Sequence, residues 1–186
     1  MAESNAHASL LDALEYAAEM HRDQRRKGAE ASPYINHPIK VARILATVGG
    51  VSDLPTLMAA VLHDTIEDTK TEHSDLVERF GIEVADLVAE VSDDKGLLKH
   101  ERKKKQVEHA PHLSERARMI KIADKICNVT DIAEKPPADW DVERRKAYFD
   151  WAAAVVDGCR GVNAALETCF DDSIAMSAAK IDAESN

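Results

Sequence analysis

The sequence predicts an all-α protein, on three observations. Ala, Leu, Glu, Lys and Arg abound in it, and these are the strong helix formers. Aromatic residues make up only 4%, which leaves few of the bulky side chains that strands prefer. Apolar residues recur at three- and four-residue spacing in segment after segment, the period of a helix with one buried face. A chain of 186 residues that is 45% hydrophobic, with 7 Gly and 6 Pro, can bury one core and is not a disordered chain. Residues 1–186 read as one domain, without an internal repeat, a linker or a low-complexity boundary.

The first helix is expected from about Ala8 to Lys27. Leu10, Leu11, Leu14, Ala17, Ala18 and His21 mark its inner face, and Gly28 stops it. Its end is basic: Arg22, Arg25, Arg26 and Lys27. These charges suit either a solvated helix end, where the dipole favours cations, or an edge that binds phosphate. After a loop, Pro38 suits the first turn of a second helix, which sets His37 at its N-terminus. Ser52-Asp53 caps a third. Helices follow at about Ser74 to Phe80 and Glu83 to Val91, and Ser92-Asp-Asp-Lys-Gly96 interrupts the pattern. A basic segment then brings Lys99, Arg102, Lys103, Lys104 and Lys105 together. Ser114 caps a strongly apolar helix with Asp124 in its middle and Asn128 one turn on. Pro136-Pro137 ends it. A helix from about Asp141 to Val156 carries Arg144, Tyr148 and Trp151. The last helix starts near Gly161 and fades into a polar, frayed tail from Ile181 to Asn186.

Charge and composition exclude several functions. A net charge of −10 argues against general nucleic-acid affinity, which needs a broad basic surface. A basic patch on so acidic a protein suits a small anionic ligand instead. No run approaches the ~18 apolar residues of a membrane span, and no signal peptide is expected. Cys127, Cys159 and Cys169 form no Cys-x-x-Cys pair, so they read as packing residues of a reduced, cytoplasmic protein.

The chain is organised around Val61-Leu-His-Asp-Thr-Ile-Glu-Asp-Thr69. Apolar helix formers precede it, so it reads as a buried helix. His63 and Glu67 are four apart, as are Asp64 and Asp68, which puts both pairs on one side of a helix. Buried carboxylates are costly unless their charge is compensated. A metal ion is the simplest compensation; the plain alternative is a helix end with solvated acids. His37, His63, Asp64 and Asp124 are each an odd choice for their places without a ligand. Two imidazoles and two carboxylates suit Mn, Fe(II), Zn or another divalent ion, and the absence of thiolates argues against a structural zinc site. Such an ion polarises a phosphoryl group and activates water near neutral pH. Glu67 and Asp68 could orient that water or move protons.

Three longer patterns surround these residues: Tyr34-Ile-Asn-His37-Pro, Leu62-His-Asp-Thr-Ile-Glu-Asp-Thr69 and Lys121-Ile-Ala-Asp-Lys-Ile-Cys-Asn128. Together they resemble the HD-superfamily hydrolase domain of RelA/SpoT homologues, most of all the small stand-alone alarmone hydrolases of the metazoan SpoT-homologue type. The resemblance runs from about Ala8 to Cys169. It implies a fold of about ten helices and a Mn²⁺-dependent removal of the 3′-diphosphate from guanosine tetra- or pentaphosphate (ppGpp, pppGpp), giving GDP or GTP and pyrophosphate. It implies His37, His63, Asp64 and Asp124 as metal ligands and Glu67 and Asp68 as catalytic acids. Arg26, Lys27, Lys99, Asn128, Arg144 and Tyr148 match substrate-contacting positions. Cys127 and Thr130 depart from the family pattern, where an aromatic or histidine and an arginine are common; both bear on nucleotide fit. Another phosphohydrolase substrate is the alternative, NADPH in particular, because a similar animal protein acts on its 2′-phosphate. A non-catalytic metal–nucleotide binding module is disfavoured by the intact Glu67 and Asp68. The implied partner is a small nucleotide, and the pattern leaves oligomeric state open.

Overall fold

The structure is a computed structural model that describes residues 5–184. Those residues form ten α-helices and one short 3₁₀ turn. In chain order they are α1 (Ala6–Met20), α2 (Asn36–Thr47), α3 (Leu54–Leu62), α4 (Thr65–Asp68), α5 (His73–Phe80), α6 (Ile82–Val91), α7 (Lys99–His109), the 3₁₀ turn (Ala110–His112), α8 (Glu115–Glu134), α9 (Val142–Cys159) and α10 (Ala164–Glu184).

Helix α8 is the axis of the molecule. It packs against α2, α3, α6, α9 and α10. Its residues Ile120, Ile122, Ala123 and Val129 are buried, and each fully buried aliphatic side chain stabilises the fold by roughly 1.5–3 kcal/mol before entropy is counted. Caps fix where the helices begin. Asp53 accepts from the Thr56 N–H, Ser114 from Ala117 and Asp141 from Arg144, all three at the starts read from the sequence.

Four expectations are corrected. First, α1 ends at Met20, about two turns before Lys27. Buried His21 caps it with its own N–H and takes Gln24 Oε1 at 2.6 Å, while Gln24 Nε2 donates to the Asp68 carbonyl at 2.5 Å. The tertiary bond from Gln24 and the burial of His21 outweigh the local helix preference of residues 21–27. Second, Gly28 is therefore not a helix stop: a Cβ there would lie 2.7 Å from the Lys135 carbonyl oxygen, and the residue bridges to Pro137. Third, Leu11 is exposed, because α1 turns Ala13 and Ala17 inward. Fourth, residues 181–184 are not a frayed tail. Helix α10 continues to Glu184, Ile181 is fully buried, and Glu184 pairs with the buried Arg145. Asn186 lies outside the described residues.

Candidate functional site

The polar centre forms where α2, the α3–α4 junction and α8 meet. His37 sits in the first turn of α2, placed by Pro38 behind it. His63 and Asp64 are not inside a helix: α3 stops at Leu62 and α4 starts at Thr65. The break has a local cause. The Thr65 hydroxyl donates to the Leu62 carbonyl and His63 Nδ1 bonds the Ala60 carbonyl, so side chains compete with the backbone ladder. The turn still leaves His63, Asp64, Glu67 and Asp68 on one wall of a single cavity of about 160 Å³. Asp124 comes from the middle of α8.

The four side chains converge. His37 Nε2 is 3.1 Å from Asp124 Oδ1 and 3.7 Å from Asp64 Oδ2. His63 Nε2 is 3.1 Å from Asp64 Oδ2 and 3.9 Å from Asp124 Oδ1. Donor atoms of His37, His63 and Asp124 lie within 4.8 Å of one another, and Asp64 joins from the His63 side, where the Tyr34 hydroxyl donates to its Oδ2 at 2.7 Å. This donor set suits a divalent ion. His63 Nδ1 is engaged by the Ala60 carbonyl, so Nε2 is the nitrogen turned toward the carboxylates, the orientation that metal-binding imidazoles use. His37 Nδ1 is buried without a partner.

The electrostatics are those of a concentrated negative centre with compensating cations. Burial raises Asp64, but the His63 and His37 imidazoles outweigh it and hold it below the usual carboxylate range. Burial likewise raises Asp124, and Lys125 with both histidines holds it well below that range. For His63, burial lowers and Asp64 and Asp124 raise, with a net lift to about 9. His37 goes the other way, because burial and the Arg26 charge prevail over Asp124. Glu67 is raised by burial and by the neighbouring Asp93 carboxylate. It is held by the Asp93 N–H at 3.1 Å and by Arg102 at 3.4 Å. Asp68 pairs with Lys95.

A larger cavity of about 560 Å³ adjoins the centre. Arg26, Tyr34, Asp68 and Asn128 line both. Lys27, Tyr148 and Trp140 line its far walls. Arg26 donates to Asn128 at 2.8 Å and pairs with Asp131 at 3.1 Å; Asn128 in turn donates to Asp124 Oδ1 at 2.6 Å. So four of the six expected substrate contacts, Arg26, Lys27, Asn128 and Tyr148, lie at this cavity. Lys99 and Arg144 line neither cavity. Lys99 is exposed at the start of α7. Arg144 covers Trp140 with its guanidinium 4.6 Å from the ring and pairs with Asp139. The sequence patterns do not assign Tyr34, Lys125 or Asp131 to the site, and they place Arg102 only in the basic segment, not beside Glu67. Tyr34 stood inside a quoted motif, and Lys125 was a charged residue in an apolar helix run. Asp131 gives no local signal.

Comparison with known proteins identifies the family. Residues 13–148 match the HD domain family. Human guanosine-3′,5′-bis(diphosphate) 3′-pyrophosphohydrolase MESH1 is 51% identical over 160 residues, covering 86% of this chain and 89% of that protein. The Drosophila melanogaster protein of the same name is 47% identical over 165 residues, covering 89% and 92%. A solved structure described as a metazoan orthologue of SpoT that hydrolyses ppGpp superposes with a TM-score of 0.89 at 44% identity, covering 95% of this chain and 97% of that one. With the His-Asp pair of the α3–α4 junction at its centre and a divalent-metal donor set around it, the chain belongs to the HD-domain family.

Proposed function

We propose that this protein is a Mn²⁺-dependent 3′-pyrophosphohydrolase of guanosine 3′,5′-bis(diphosphate) and its 5′-triphosphate analogue, leaving GDP or GTP and releasing pyrophosphate. One observation carries the reading. Two imidazoles and two carboxylates converge beside Glu67 and Asp68, at the edge of a cavity of about 560 Å³ with cationic and aromatic walls. The names and identities of the relatives support the same substrate.

In this reading His37, His63, Asp64 and Asp124 hold the ion. When bound, it supplies the positive charge that polarises a phosphoryl oxygen and makes water acidic enough to react. The chain's own residues do the rest. Tyr34, Asn128 and Lys125 fix the two carboxylates by hydrogen bonds. Arg26, Lys27, Asn128 and Tyr148 receive the nucleotide at the larger cavity, and Lys99 and Arg144, which line neither cavity, attract its phosphates from outside it. Glu67, its carboxyl raised by burial and by the Asp93 carboxylate, suits a proton-handling group. Water attacks the phosphorus bonded to the 3′ oxygen, that P–O bond breaks, and a proton handled by Glu67 or Asp68 goes to the departing 3′ oxygen. A cytoplasmic setting suits the cysteines: burial raises the Cys127 thiol to about 12 and the Cys159 thiol to about 11, so both stay protonated packing groups.

The test is a nucleotide panel. Mn²⁺-loaded protein should release pyrophosphate from ppGpp and pppGpp, lose that activity to a chelator and regain it with Mn²⁺. Demetallated protein should also melt at a lower temperature, since an ion bound only by the folded state stabilises it. Full activity after complete demetallation, or release of phosphate from NADPH in preference to pyrophosphate from ppGpp, would overturn the assignment.

A further inference from the structure

The two oxygens of the Asp124 carboxylate have separate partners. Oδ1 faces the imidazoles, 3.1 Å from His37 Nε2, and takes the Asn128 amide at 2.6 Å. Oδ2 takes the Lys125 ammonium at 2.9 Å. Neighbouring residues on a helix project about 100° apart, so the Lys125 side chain must bend back along α8 to reach this oxygen. It does so fully inside the protein, with 3% of its surface exposed. Its other neighbour is the indole of Trp151 on α9, whose centre lies 4.5 Å from Nζ. That indole is itself fixed. Its Nε1–H donates to the Lys103 carbonyl of α7 at 3.0 Å, and its ring meets Tyr148 edge-on at 5.2 Å.

A buried ammonium is expensive unless paired, and Asp124 is the one carboxylate with which Lys125 forms an ion pair among the described residues. An indole face adds attraction that grows when both groups are desolvated. A lysine held this rigidly has one effect on its neighbour: it fixes the rotation of the carboxylate. We propose that Lys125, clamped on Trp151, is the positioning residue of the metal centre. By occupying Oδ2 it turns Oδ1 toward His37 and His63 and restricts Asp124 to one ligating oxygen. The proposal rests on the reading of Asp124 as a metal ligand. It also assigns α9 a share in metal affinity, although α9 supplies no ligand.

The test is titration of demetallated protein with Mn²⁺, followed by calorimetry and by the spin-resonance signal of the free ion. Lys125→Met keeps the volume and removes the charge; its affinity should fall roughly 10–100-fold, the usual cost of losing a group that orients a ligand. Trp151→Leu should weaken binding in the same direction. Lys125→Arg keeps the charge, the donors and the stacking on the indole, and should stay close to the parent. Turnover of Lys125→Met should recover at saturating Mn²⁺, a rescue that a residue needed only for folding would not give. Melting of the demetallated variants separates loss of fold from loss of affinity, and Trp151→Leu with Lys125→Arg decides the matter if Lys125→Met does not fold. Parent-like or tighter Mn²⁺ binding by Lys125→Met and Trp151→Leu would overturn the proposal, since a lysine that merely competed with the ion would give that result. Weak binding by Lys125→Arg, equal to Lys125→Met, would overturn it too. Asp124→Asn is the separate control: if it binds Mn²⁺ like the parent, the ligand assignment fails rather than the role of Lys125.

Discussion

At the scale of single residues, Asp64 and Glu67 stand three positions apart and have different jobs. Asp64 Oδ2 is engaged by Tyr34 and lies against His63. Glu67 is held outside that set by the Asp93 N–H and Arg102. Glu67→Gln should therefore keep the fold and the bound ion and lose about 10²–10⁴ in turnover, the size of a proton-transfer contribution. Asp64→Asn should lose ion and turnover together. Metal analysis beside kinetics separates the two: ion loss in Glu67→Gln would make Glu67 a ligand, and an undiminished rate would move the chemistry elsewhere. His37, His63, Asp64 and Asp124 were legible in the sequence because each lies in a short polar motif set against an apolar helical run. Their supports were not. Arg26 reaches Asn128 and Asp131 more than a hundred residues away, and no local pattern announces a pairing of that span.

Among the elements, residues 21–28 depart furthest from expectation. Nothing in residues 21–27 breaks a helix, and propensity alone extends α1 to Lys27. What stops it is the reach of Gln24 to the Asp68 carbonyl and the burial of His21, both set by the third dimension. The α3–α4 junction is a similar case, since a continuous helix and a broken one put the same four polar residues on one wall. The extended run that replaces the end of α1 carries Arg26 to the cavity, and it lies so close to Lys135 that only glycine fits at position 28. Gly28→Ala should cost about 1–3 kcal/mol by overpacking against backbone. It should also raise KM for the nucleotide more than it lowers kcat, because Arg26 shifts while the metal centre does not. Thermal unfolding and steady-state kinetics test this; a parent-like KM would detach Arg26 from substrate binding.

For the whole molecule, the puzzle is a protein of net charge −10 that is to bind a polyanion. Most cations near the centre are already paired: Lys40 with Asp131, Lys95 with Asp68, Lys135 with Glu30. On α7, Lys99 and Lys103 make no ion pair among the described residues. Lys103 lies 4.6 Å from the Trp151 ring, and its ammonium pKa is lowered by burial and by the charges of Lys99, Lys125 and Arg144. Lys99 and Lys103 thus add positive charge that no carboxylate among the described residues pairs. Lys99→Ala should raise KM at low salt more than it lowers kcat, and the effect should shrink as salt screens an exposed charge. An unchanged KM at low ionic strength would return Lys99 to the solvated face.

The chain has two tryptophans, and both stand at this end of the molecule. Trp140 lines the larger cavity under Arg144; Trp151 backs the lysine that grips Asp124. The protein thus has intrinsic fluorescence from two emitters, one beside each event that should precede catalysis. Trp151 emission should change on ion uptake, and Trp140 emission should be quenched when a purine ring enters. Trp140→Phe and Trp151→Phe would each leave one emitter, so stopped-flow mixing could time the two arrivals without any added dye.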